Sequence, residues 1–193
     1  MRSHVLPAGT DVGYASVLTW RAGDRGVGLE LEAHPLGTWT VPVPRLGLRM
    51  GLPTSFGRLT WFGLGPGEAY SDTTTAQRVG RFSLGVAELQ TPYVRPQENG
   101  NRRHVRWAEV GRAGGAPLRI SGPDTVDVTL RPWTTEVLDA AAHRTDLVAD
   151  PDWHWLNLDV AQHGIGTGAC GPVELPSYTL HAGPVRLVLD LLL

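Results

Sequence analysis

The chain has 193 residues, 17 of them basic and 19 acidic, for a formal net charge of −2. That length suits one domain with a real hydrophobic core, and the near-neutral balance supplies none of the basic field that nucleic-acid binding draws on. All 17 cations are arginines and they are scattered rather than clustered, so they read as coding bias and not as an anion-binding patch.

Residues 12–20 and 26–33 read as two strands. Val12, Tyr14, Ser16 and Leu18 share one parity, and Val27, Leu29 and Leu31 alternate with Gly28, Glu30 and Glu32, the period of a half-buried strand. Ala22–Gly26 joins them as a turn. Thr38–Val43 is a short extended piece that Pro42 and Pro44 confine to an edge or an irregular run. Arg45–Met50 alternates basic and apolar residues, and Leu59–Leu64 is a further strand. Thr73–Val79 is expected to form a short helix capped by Asp72. His104–Val110 is extended, with Val105, Trp107 and Glu109 on one side and Arg106, Ala108 and Val110 on the other. Leu118–Ser121 and Thr125–Arg131 are two strands parted by Gly122 and Pro123. Thr134–Ala142 is the best helix, with a threonine cap, Glu136 at its positive end and an alanine run. Asp152–Val160, Ser177–Leu180 and Val185–Leu193 close the chain as strands, with a glycine-rich loop at His163–Pro172. Short strands, frequent turns and one or two brief helices predict an all-β antiparallel sandwich; no βα alternation is present.

The residues that carry chemistry elsewhere carry little here. Cys170 is the only cysteine, which excludes an internal disulfide and a thiolate zinc cluster and fits a reducing, cytoplasmic compartment. The seven histidines form no H-x-x-x-H or H-x-H pair, so no metal site is expected. Gly63–Glu68 holds Pro66 where a phosphate needs an amide, and Gly164–Gly171 opens no helix with a lysine, so neither loop is a phosphate cradle. No leader peptide is evident after Arg2 and His4, and the apolar run Leu187–Leu193 is broken by Asp190 and far shorter than the ~20 residues that cross a bilayer. Glu68, Asp72 and Glu98 are the carboxylates to weigh as glycosidase acids, against the simpler role of fixing loops. Trp61, Trp107, Trp133, Trp153 and Trp155 stand at strand positions, where packing explains them as well as sugar stacking does.

The chain is organised around Trp61–Trp107. Gly63, Gly65, Gly67 and Pro66 open it, Pro92, Pro96 and Gly100 shape its second half, and Glu68, Tyr70, Asp72, Tyr93, Gln97, Glu98, Asn99, Arg102 and Arg106 stand between them. Glycine permits positive φ and proline presets φ, so polar side chains on such loops are expected to be held in a network.

These residues resemble a known family. Trp61–Asp72 (WFGLGPGEAYSD) is similar to the W-x-G-x-G-P-x-E-x-Y-x-D signature of the C-terminal domain of glycoside hydrolase family 2 β-galactosidases. Thr91–Trp107 (TPYVRPQENGNRRHVRW) resembles that domain's Y-x-x-P-Q-E-x-G-N-R-x-x-V-R-W. Pro44–Met50, His143–Leu147, Trp155–Asp159 and Gly164–Pro172 follow in order, so the likeness covers roughly residues 12–193. It implies a galactose mutarotase-like supersandwich. It also implies that both catalytic glutamates of the retaining reaction lie in a barrel this chain lacks. Trp61, Gly65, Pro66, Glu68, Tyr70, Asp72, Tyr93, Pro96, Gln97, Glu98, Gly100, Arg102, Arg106 and Trp107 become a structural motif, with no catalytic residue among them. The implied partners are the catalytic barrel and a galactoside, with neither nucleic acid nor membrane, in a cytoplasmic homo-oligomer when whole. No cofactor is expected in this chain, which leaves a divalent metal to the catalytic domain. In some members a tryptophan on the loop matching Gly164–Pro172 enters the sugar pocket; here that position is Cys170, flanked by Thr167 and Gly168, and a thiol offers no aromatic platform. Thr73 replaces the arginine usual after the Asp of the first motif, and the family domain is longer at its N-terminal end, so the first strands here are expected to lack partners. A free-standing carbohydrate-binding or mutarotase-like module is the alternative.

Overall fold

The computed structural model describes residues 1–167 and 171–193. Its strands are β1 Arg2–Val5, β2 Gly13–Gly23, β3 Gly26–Leu36, β4 Arg45–Pro53, β5 Phe56–Gly65, β6 Arg78–Gly85, β7 Arg102–Arg112, β8 Leu118–Arg131, β9 Trp153–Gln162 and β10 Val185–Leu192. One helix, α1, spans Thr135–Ala140. Every strand pairing is antiparallel, so the fold is the all-β antiparallel class expected from the turn-rich sequence. The sheet runs β1-β2-β3-β10-β8-β7-β5-β6 and branches at β8, where β9 and then β4 form a second arm. β2 pairs with β3 along its whole length, while its other side meets the four residues of β1 and Met1, which bonds Leu18.

The branch arises within β8. Arg119–Ser121 pair with β10, whereas Asp127–Arg131 pair with β9. Two strands were expected here, broken by Gly122 and Pro123; the chain instead continues as one strand. Pairing with β7 jumps from Ser121 to Val126, so Pro123 sits where no ladder amide is needed. Gly122 lets the bend lie against β10, since a Cβ there would meet the Val188 carbonyl oxygen. The two arms fold toward one apolar core: Leu29, Leu31, Leu187 and Leu189 from one, Leu156 and Leu158 from the other, and Leu59, Trp61, Ala108 and Val110 from the shared part. That burial is the main stabilising term.

Several local expectations change under tertiary packing. The helix expected at Thr73–Val79 shrinks to a 3-10 turn at Thr74–Ala76, because Arg78–Gly85 pairs with β5 as β6, and strand pairing overrides a weak helical preference. Asp72 does not cap that turn. Thr38–Val43 forms no strand and is tied by one bond from the Val43 amide to the Leu180 carbonyl at 2.8 Å. Ser177–Leu180 is replaced by a 3-10 turn at Pro176–Tyr178, with Pro176 in its first turn. α1 keeps its expected cap: the Thr134 side chain accepts from the Val137 amide at 3.3 Å.

Strict alternation also fails in β7. Val105, Ala108 and Val110 are all buried, while Arg106 is exposed and Trp107 half-buried. The register with β8 slips by one residue between Arg102 and Val105, and His104, at φ 54°, sits in that slip. A non-glycine residue in the left-handed region is strained by about 1 kcal/mol, and β-branched side chains fit there worst. His104→Gly is therefore expected to leave the unfolding free energy within about 0.5 kcal/mol, and His104→Val to lower it by roughly 1–2 kcal/mol, as read from urea denaturation.

Candidate functional site

The face of β8 and β9 that turns away from the apolar core is also buried, and it is polar, with half-buried Arg45 of β4 at its border. Asp127, Thr129 and Arg131 alternate on β8, and Asn157, Asp159 and Gln162 line β9. Residues 66–77 and 91–101, from the two glycine- and proline-shaped loops, lie over it. Buried polar groups need partners, and the loops supply them.

Glu98 is the hub. Its carboxylate accepts from Arg131 Nη2 at 2.7 and 2.9 Å, from the Tyr70 hydroxyl at 3.1 Å and from Arg45 Nη1 at 3.4 Å. Arg45 also clamps Asp159, with Nη2 to Oδ2 at 2.6 Å and Nε to Oδ1 at 3.3 Å. Gln162 Nε2 donates both to Asp159 and to Asn101 Oδ1, each at 2.9 Å. Asn101 Nδ2 in turn donates to the Ala69 carbonyl at 2.8 Å and to Asp127 Oδ2 at 3.3 Å. Thr129 donates to Asn101 Oδ1 at 3.3 Å. Charged hydrogen bonds of this kind are the strong ones.

Glu68 forms a second knot, accepting from the Tyr93 hydroxyl and from the Gly100 amide at 2.7 Å. Gly100 has φ 77°, and a Cβ there would press on the Leu89 carbonyl at 3.0 Å, so only glycine presents its amide to Glu68 without strain. Arg102 turns inward beneath this knot. Nη1 donates to the Gly100 carbonyl at 2.9 Å, and the guanidinium lies 5.1 Å from the Trp61 ring. Trp61 is itself buried and donates from Nε1 to the Leu64 carbonyl at 2.9 Å. Gly65 fits against Trp61 and Phe82, where a Cβ would come within 2.8 Å of the Trp61 ring. Pro96 is buried, and Gln97 offers its carbonyl to Asn99 Nδ2 at 2.9 Å.

Asp72 reaches a different element. It accepts the Gly166 amide at 2.7 Å and the Ile165 amide at 3.3 Å. This joins the organising stretch to the loop His163–Pro172 across about ninety residues of sequence. The loop is also held from within. His163 Nδ1 accepts from the Leu180 amide at 3.0 Å, which leaves the proton on Nε2, 2.7 Å from Glu174. Thr167 Oγ1 donates to the Pro172 carbonyl at 3.1 Å. Gly166 takes φ 54° against the Glu174 amide. Gly168 and Cys170, expected on the same loop, lie outside the described residues.

Burial sets the electrostatics. It pushes the Asp127 carboxyl up to about 7, against the opposing charge of Arg103 at 3.7 Å and a bond from the His104 amide. Burial likewise raises Asp159, with Arg45 opposing. It raises the Tyr70 hydroxyl well above its ordinary value, helped by the Glu98 charge, so Tyr70 stays a donor. Arg102 is brought down to about 10 by burial, opposed by Glu68.

The expected motif is therefore split. Trp61 to Arg102 belong to the network or to its packing, whereas Arg106 and Trp107 lie beyond it, on an uncovered part of the sheet. Arg45, Asn101, Asp127, Thr129, Arg131 and Gln162 were not singled out as site residues from sequence. Asn101 and Arg45 stood inside the matched motifs, while Asp127, Thr129, Arg131 and Gln162 are polar strand residues with no local sign of burial. Glu98 and Glu68 have their oxygens occupied by neighbouring donors. Among the described residues no group of three or more His, Cys, Asp and Glu is placed to hold a metal ion.

A family model described as the β-galactosidase small chain matches residues 3–191. The chain is 34% identical to a β-galactosidase of Arthrobacter sp. (strain B7), covering 98% of this chain and 19% of that protein. It is 38% identical to one of Vibrio cholerae, over 75% of this chain and 13% of that protein. It is 31% identical to one of Kluyveromyces lactis, over 99% and 18% respectively. The chain thus spans about a fifth or less of the length of these relatives.

Two measurements test the network. The Asp127 carboxyl is raised above the unfolded value of 3.8 to about 7, so the folded state holds its proton more tightly. Its contribution to stability is complete below pH ~3.8 and is lost as pH rises toward 7. Asp127→Asn is expected to flatten that decline in urea titrations between these limits. Asp72→Ala is expected to cut hydrogen-exchange protection of the Ile165 and Gly166 amides at least tenfold, with β8 and β9 amides unchanged.

Proposed function

The chain belongs to the β-galactosidase small-chain family, and on that premise we propose that it forms the C-terminal part of a retaining family 2 β-galactosidase that cleaves terminal β-D-galactosides. Its part is to close the active site and to pack on the catalytic barrel, in a cytoplasmic homo-oligomer of supersandwich-bearing subunits. It carries neither the nucleophile nor the acid/base.

The observation that carries this reading is the state of its carboxylates. A retaining glycosidase needs two carboxyl groups about 5–5.5 Å apart across an open sugar site. Glu98 is instead surrounded by Arg131, Arg45 and Tyr70, and Glu68 by Tyr93 and the Gly100 amide. Both are engaged in holding loops. The element offered to the sugar is the loop His163–Pro172, which Asp72 holds by the Ile165 and Gly166 amides. Thr167, Gly168 and Cys170 wall the aglycone side in this reading. Holding a pocket wall in one geometry is a contribution to catalysis through positioning, made without a reacting group.

Complementation tests the reading. The purified chain alone is expected to leave an aryl β-galactoside intact. Mixed with the Arthrobacter β-galactosidase shortened by the segment this chain matches, it is expected to restore hydrolysis. Turnover by the chain alone that Glu98→Gln abolishes would overturn the proposal. So would a mixture that stays inactive while the isolated chain binds galactose in calorimetry, the behaviour of a free-standing module.

A further inference from the structure

The outer face of the sheet formed by β6, β5, β7 and β8 carries the two motif residues that the buried network leaves out. Trp107 lies opposite Phe62 in the pairing of β7 with β5, and the two rings stack with centroids 6.4 Å apart. Arg106 lies 5.4 Å from the Phe62 ring, because the break in β7 alternation turns Arg106 and Trp107 to the same side. Arg81 stands opposite Phe62 on β6. Arg58 shares this face two register steps along β5, and Val79, 58% exposed, extends its apolar part. A cavity of about 450 Å³ lies here, with Arg81, Trp107, Glu109 and Arg119 among its walls.

Cations outnumber anions on this face, where Asp190 stands opposite Ser121 and Asp124 lines a small cleft with Arg106 and Trp107. Glu109 is taken up by Arg119 at 2.7 Å. Arg58, Arg81 and Arg106 make no ion pair among the described residues. The chain as a whole is net negative, so this concentration of unpaired cations around an aromatic pair is local. Arginine and aromatic residues are the types enriched at the centre of protein interfaces. A guanidinium without a partner carboxylate offers planar, two-toothed recognition of one.

We propose that this face docks on the remainder of the β-galactosidase, against a protein segment that presents at least two carboxylates around an apolar side chain. The apolar side chain would cover the Phe62–Trp107 stack, and the carboxylates would meet Arg81 and Arg106. The inference rests on the reading of the chain as part of that enzyme and adds the surface and the chemistry of the contact. Arg106, over the Phe62 ring, and the neighbouring Arg81 would lose water in the contact, so reversing their charge leaves unpaired charge inside it.

The complementation assay, read as the chain concentration giving half-maximal hydrolysis with the shortened Arthrobacter enzyme, tests it. The double variant Arg81→Glu, Arg106→Glu is expected to raise that concentration at least tenfold. Arg25→Glu, in the turn between β2 and β3, is expected to leave it unchanged. Circular dichroism and melting of each isolated chain report the fold. If the double reversal melts early, the neutral pair Arg81→Gln, Arg106→Gln replaces it, with at least a threefold rise expected. A wild-type chain that restores no hydrolysis overturns both the family role and the docking face. A wild-type chain that restores it, with folded variants at Arg81 and Arg106 equal to it, overturns the docking face alone.

Discussion

The Glu98 carboxylate, gripped by Arg131 and Arg45, is the contact on which the arrangement of this protein depends. Arg131 has a side-chain exposure of 1% and Glu98 of 27%, so the pair sits at the boundary between the buried strand face and the loops above it. Removing such charges from water is costly, and a buried ion pair is weak evidence of net stability. Arg131 even keeps Nε and Nη1 without a protein partner among the described residues. The stabilising energy comes from the apolar core beneath. What the pair supplies is position: it ties the loop at residue 98 back to strand β8.

The same logic spreads outward. Once Glu98 is fixed, Tyr70 and Asn101 meet at 3.3 Å, and Asn101 ties the loop to Asp127, Thr129 and Gln162 on two strands. Glu68 closes the path by taking the amide of a glycine in the left-handed region. Asp72, left over from this closure, takes hold of the distant loop His163–Pro172. The charged residues that look most like catalysts are thus the ones most completely used by the fold. A carboxylate that orders a loop and one that turns over a sugar need opposite surroundings, the first saturated with donors and the second open to a ligand.

Membership of the β-galactosidase small-chain family agrees with that division. The side of the sheet turned away from the apolar core differs along its extent: over β8 and β9 it is polar and covered by loops, and over β5, β6 and β7 it carries an aromatic pair with unpaired arginines. The first accounts for how the loops are held. The second leaves Arg81 and Arg106 without a carboxylate partner among the described residues, and a contact with further polypeptide is the proposed reason.

Much of the fold was legible in the sequence. Alternation in β3 follows from the half-buried period of a strand, and the threonine cap of α1 follows from local chemistry. The two glycine- and proline-rich motifs fixed the family. Local reasoning failed where a distant partner decides. Arg78–Gly85 became a strand because β5 offered an edge; Pro123 was tolerated because β8 slips past β7 at that point; Asp72 left its expected cap because two amides of the later loop bind it. Polar residues on β8 and β9 carry no local sign of burial, since the loops that cover them lie about thirty to sixty residues away in the chain. The sequence by itself determined an antiparallel β protein with motif loops of fixed shape. Only the tertiary structure decided which carboxylates those loops consume, because a carboxylate's chemistry is set by the donors around it, and here those donors come from strands and loops remote in the chain.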